Sequence, residues 1–115
     1  MIYSDLQLKN LAHENPKELA KILTSANNDA RMLTYGAEIL GEEVTDENIV
    51  VPVLRQLLGH NHALVREGAM IGLSSFFYNK QIPKDILDKL KVMSTNDPQP
   101  NNRKFAKDLI LSIKI

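Results

Sequence analysis

Between Glu47 and Phe77 the chain reads ENIVVPVLRQLLGHNHALVREGAMIGLSSFF, two apolar helical patterns separated by a short polar turn. In the first pattern Ile49, Val50, Val53, Leu54, Leu57 and Leu58 fall on one broad helical face, and Arg55 and Gln56 fall off it. Gly59, His60, Asn61 and His62 supply the turn. Val65, Ala69, Gly72, Leu73 and Phe76 then follow at i, i+4, i+7, i+8 and i+11 along one side of a second helix. Small residues at Ala69 and Gly72 let another helix backbone come close. Helices this short are marginal alone in water, so each apolar face must be covered. The pair therefore has to stack against neighbours built on the same plan.

Weaker copies of the pattern lie on both sides. Ser4 with Gln7 offers a capping box for a first helix carrying Leu6, Leu8, Leu11 and Ala12 and ending near Asn15. Asn15, Pro16 and Glu18 open a second helix, running to about Ala26 with Leu19, Ala20, Ile22 and Leu23 as its apolar residues. Asn27, Asn28 and Asp29 break it. Met32, Leu33, Gly36, Ala37, Ile39 and Leu40 form the next helix, from Ala30 to about Gly41. Glu42 to Glu47 read as a carboxylate-rich connection, with Thr45 or Asp46 capping the central pair. After Tyr78, NKQIP forms a turn, and a helix opening at Pro83 carries Ile86, Leu87, Leu90 and Met93 to about Ser94. Thr95 to Pro100 break the chain again. Asn102-Arg103, Ala106 and Ile110 then repeat Val65-Arg66, Ala69 and Leu73 at a spacing of 37 residues. For the first pair, aligning Leu40 with Leu73 gives a period of 33 and aligning Gly36-Ala37 with Gly68-Ala69 gives 32.

Pro52 in a first helix, a polar turn, then Val65-Arg66, Ala69 and Leu73 resemble the consensus of HEAT repeats, including the bacterial HEAT-like variety. The resemblance implies an all-α fold, an α-α superhelix or short α-solenoid. It would hold about three helix pairs in one domain, residues 1–115, with a capping helix at 1–14 and repeats at about 16–41, 46–78 and 83–114. In that family the proline bends the first helix, which agrees with the backbone hydrogen bond that Pro52 removes. A turn aspartate pairs with the arginine of the second helix. His60 stands where that aspartate is expected, while Asp97 occupies the equivalent place in the last pair and is expected to pair with Arg66 or Arg103.

Catalytic apparatus is not visible. The chain has no cysteine, hence no thiolate nucleophile, disulfide or cysteine-based zinc site. It has no GxSxG elbow, phosphate-cradling glycine loop or dinucleotide fingerprint. The pairs Glu42-Glu43, Asp46-Glu47 and Asp85-Asp88 lack a neighbouring nucleophile and read as solvated helix ends. His60 and His62 would need a third ligand such as Glu67 to hold a metal, and the residues favour a solvated turn. His13 is expected to interact with the C-terminus of its helix. No cofactor is expected, and the chain reads as a non-enzyme. MIYSDLQLKNLAHEN lacks the apolar run of a signal peptide, and no 18 consecutive apolar residues occur, so a soluble cytoplasmic protein is expected.

Charge adds a polarity. Lysine plus arginine equals aspartate plus glutamate at 14 each. Residues 1–79, however, hold 6 basic and 10 acidic side chains, a net of −4, and residues 80–115 hold 8 and 4, a net of +4.

In the HEAT family the second helices line a concave surface on which partners dock. The partner-binding positions expected from that placement and from the acidic run are Tyr35, Glu38, Glu42, Glu43, Asp46, Glu47, Glu67, Met70, Phe77 and Tyr78. Three consecutive helical residues cannot share a face, so at least one of Phe77 and Tyr78 should be exposed beside Phe76. The leading functional expectation is a protein-binding module, in its most concrete form an inhibitor or immunity-type protein that neutralises a basic partner. Nucleic-acid binding through Arg103, Lys104, Lys107, Lys89 and Lys91 is the alternative that zero net charge disfavours. A role as accessory subunit related to HEAT-like lyases is the third. A monomer is expected, or a weak dimer through the last helix, around which Phe105, Leu109, Leu111 and Ile113 are spread.

Overall fold

A computed structural model describes residues 3–25 and 29–113. Among them there are seven helices and no strand: α1 (Asp5–Glu14), α2 (Pro16–Thr24), α3 (Ala30–Glu43), α4 (Glu47–Leu58), α5 (Ala63–Phe76), α6 (Lys84–Asn96) and α7 (Pro100–Ser112). The chain divides into two compact units, Met1–Phe76 with α1 to α5 and Phe77–Ile115 with α6 and α7.

Local chemistry sets most helix starts. Ser4 Oγ accepts the Gln7 N–H at 3.1 Å while Gln7 Oε1 accepts the Ser4 N–H at 2.8 Å, the reciprocal capping box expected for α1. Asn15 Oδ1 accepts the Glu18 N–H in front of Pro16, as expected for α2. That helix stops at Thr24, and the expected breakers Asn27 and Asn28 and the expected end at Ala26 lie outside the described residues. Asp29 caps α3 by accepting the Met32 N–H at 3.1 Å. Of the two candidate caps for α4 it is Asp46 that serves, accepting the Asn48 N–H at 2.9 Å. Glu42 and Glu43 are not in a connection: α3 continues through them, and only Val44 to Asp46 link it to α4. Nothing in EE resists helix, and the apolar stripe simply runs out before the helix does.

In the first unit the helices form two layers. α2 packs on α4 and α3 packs on α5, while α1 lies against α2 and α3. The tightest seam is between α3 and α5. A Cβ on Gly72 would stand 2.5 Å from the Ala37 carbonyl oxygen, one on Gly68 would stand 2.6 Å from that of Thr34, and one on Gly41 would fall onto the Gly72 carbonyl. Absence of side chains at these glycines is what lets two backbones touch. The expectation that Gly72 admits a close helix is met, and the helix it admits is α3.

Helix α5 is enclosed on most of its circumference: Val65, Gly68, Ala69, Met70, Gly72, Leu73 and Phe76 are buried, and only Leu64, Ser74 and Ser75 are exposed. A helix that is apolar nearly all round belongs in an interior. In the second unit α6 and α7 pack as a pair through Ile86, Leu90, Met93, Ala106 and Leu109. Asn79 takes φ 60° in the turn that precedes Ile82, a left-handed conformation that asparagine tolerates.

The two inter-helix turns that the repeat pattern aligns use one device. Arg66 Nη1 donates to the carbonyl oxygens of His60 and Asn61, both at 3.0 Å, and Arg103 Nη1 donates to that of Asp97 at 2.7 Å. His60 and Asp97 are each six residues before their arginine. In both turns the arginine reaches main-chain oxygens, and in the last one the Asp97 carboxylate also accepts the Gln99 N–H at 2.9 Å. Arg66→Met, which keeps the stem and removes the donors, is expected to cost about 1–2 kcal/mol in urea unfolding.

Candidate functional site

Tyr35, Glu38 and Glu42 stand at i, i+3 and i+7 on α3 and share a face. Tyr35 is 39% exposed, and the Arg31 guanidinium sits 5.9 Å from its ring centroid. Glu38 is half-buried, and that burial is the main cause that holds its carboxyl above the ordinary value of 4.5. The charges of Glu67 on α5, Glu42 on α3 and Asp5 on α1 push in the same direction. Glu38 thus feels the charges of carboxylates on three helices, α1, α3 and α5. Sequence reading places Glu38, Glu42 and Glu67 on this surface and misses Asp5, whose approach depends on how α1 lies against α3.

The fold gives the remaining expected positions different tasks. Glu43 Oε1 lies 2.9 Å from His13 Nε2, so His13, in the last turn of α1 as expected, also meets a carboxylate of α3. Asp46 is spent on capping α4, with Glu47 exposed in the first turn. Met70 is 0% exposed and is not an anchor on any surface. Phe77, at 9%, is likewise buried, whereas Tyr78 is 76% exposed. The expectation that one of these two aromatics faces out is met by Tyr78, and Met70 and Phe77 are corrected to interior residues. The helical wheel assigns α5 one buried stripe, but neighbours cover Met70 as well.

In the central turn the imidazoles serve the backbone. His60 Nδ1 accepts the His62 N–H at 3.0 Å, and His62 Nδ1 accepts the Leu64 N–H at 3.2 Å, next to the start of α5. The charge of Glu67 is felt at Glu38. Among the described residues no group of three or more His, Asp or Glu is placed to hold a metal. No helix among them is long and apolar enough to cross a membrane. In the second unit Lys89, Lys91, Lys104 and Lys107 are exposed, and Arg103 is engaged by Asp97.

The strained state of Glu38 has a measurable sign. Its folded-state pKa lies above the unfolded value, so the fold binds the proton more tightly and is penalised once Glu38 ionises. The penalty is absent below pH 4.5 and complete above the raised value. Glu38→Gln is therefore expected to melt higher than the parent at pH 7, with the difference disappearing as pH falls below 4.5.

No protein-family model, no curated protein and no solved structure matches this chain.

Proposed function

We propose that this chain is a non-enzymatic protein-binding module, a short HEAT-like α-solenoid whose partner presents a basic surface. The observation that carries the reading is Glu38, whose carboxyl is held up first by its own burial and then by the charges of Glu67, Glu42 and Asp5, on the face of α3 that also carries the partly exposed ring of Tyr35. A fold spends stability to keep carboxylates together, and a cationic partner would relieve the repulsion on binding. An aromatic at the edge of a charged surface supplies apolar contact area with little conformational entropy to lose. Stacking of α2 on α4 and of α3 on α5, together with the matched arginines of the two turns, supports the repeat reading. The most concrete form is an inhibitor or immunity-type protein acting in the cytoplasm.

The test is a tagged pull-down from source-cell lysate at low and moderate salt, with the parent and a Glu38→Gln, Glu42→Gln, Glu67→Gln variant side by side. A basic protein recovered near stoichiometry by the parent, released as salt rises and lost by the variant is the expected result. Equal capture by both, with the same salt dependence, would remove the acidic surface from the reading. Nucleic acid in place of protein would move the site to the lysines of the second unit.

A further inference from the structure

The other layer of the first unit carries a groove of opposite character. Between α2 and α4 an open groove of about 480 Å³ has Ala20, Ile49, Pro52 and Val53 along its floor. Lys17 and Lys21, four residues apart and thus on one side of α2, form its rim. Among the described residues that line it they are the only charged ones. The unit around it holds 6 basic and 10 acidic side chains through residue 76, so the groove is locally positive on a unit of net −4.

Pro52 gives this groove a second property. It is exposed, lies inside α4, and has no N–H to donate to the carbonyl of Asn48 one turn earlier. Asn48 lines the same groove. The i to i−4 ladder of α4 thus leaves the Asn48 carbonyl unused, in a residue that stands beside the apolar lining. At one end Gln56 Nε2 reaches the Thr24 carbonyl oxygen at 3.4 Å and ties the two helices together.

We infer that the α2–α4 groove docks a segment of a partner protein that carries apolar side chains flanked by glutamate or aspartate. The apolar side chains seat on Ala20, Ile49 and Val53, the carboxylates face Lys17 and Lys21, and a donor on the segment meets the Asn48 carbonyl. A basic segment is rejected by the same two lysines. The groove belongs to α2 and α4, whereas the carboxylate surface belongs to α1, α3 and α5, so either can fail without the other.

Two probe peptides test the inference, one with the pattern Leu-Glu-Glu-Leu-Leu-Glu written twice and one with lysine in place of every glutamate. Each is titrated into the 15N-labelled full chain and read by amide shifts. Saturable shifts at Ala20, Ile49, Val53 and Gln56 with the acidic peptide, at least tenfold tighter than with the lysine peptide, are expected. Lys17→Glu with Lys21→Glu, two exposed substitutions that leave the melting temperature near the parent's, should reverse that preference. Equal binding of both peptides, shifts centred away from α2 and α4, or no saturation at millimolar peptide would each overturn it.

Discussion

Alanine at Gly41 will lower the stability of the first unit by about 2 kcal/mol or more, although glycine to alanine inside a helix ordinarily gains about 1 kcal/mol. Gly41 lies within α3, and a Cβ there would fall onto the carbonyl oxygen of Gly72 on α5. Backbone atoms cannot rotate aside as the end of a flexible side chain can. The helices must separate, and every contact along the seam weakens with the distance. For a chain of this size the melting temperature should fall by roughly 10 °C. Gly72→Ala meets the Ala37 carbonyl oxygen at 2.5 Å and should behave alike. The two changes push apart the same pair of helices, so the double variant should cost less than the sum of the singles. A Gly41→Ala protein that melts above the parent would show that α3 and α5 do not approach as described.

Truncating Met70 to alanine will cost about 3 kcal/mol, the ordinary loss for a fully buried methionine. An exposed binding anchor would change stability by no more than about 0.5 kcal/mol. The side chain is 0% exposed, so the larger figure applies. Met70→Leu, which nearly conserves volume, should stay within about 1.5 kcal/mol of the parent. Urea unfolding of the two variants decides the matter. A Met70→Ala protein as stable as the parent would return Met70 to the surface, where its place on the helical wheel had put it.

Helices α3 and α5 mark the limit of what local sequence specifies. The sequence marks Ala69 and Gly72 as places where a helix can come near, because a missing side chain is a local fact. Which helix arrives, and that Gly41 and Gly68 share the seam, depends on the rotation of α3 about its own axis. The helical wheel makes Met70 an outward position only if α5 has a single covered side. Enclosure by neighbours cancels that assumption. Asp5 is a further case: an unremarkable first-turn carboxylate in sequence, it belongs with Glu38 only because α1 lies against α3.

Capping and turn chemistry are a different matter. Ser4 with Gln7, Asn15 before Pro16, and Asp46 before Asn48 act over two or three residues, so the chain itself carries the whole interaction. The spacing of Arg66 and Arg103 is equally plain, and it leads to equivalent turns. What the spacing does not carry is that each arginine donates to main-chain oxygens of its turn.

The sequence by itself determined that the chain is helical, where nearly every helix starts, and most of the apolar stripe of each, though Leu6 of α1 is 68% exposed, because these follow from hydrogen bonds and periodicity within a few residues. Only the tertiary structure decided that Met70 and Phe77 are interior, that Glu43 is taken by His13, and that the charges of Asp5, Glu42 and Glu67 are felt at Glu38. Burial and electrostatic coupling are properties of which surfaces face each other, and residues distant along the chain become neighbours only when the helices pack.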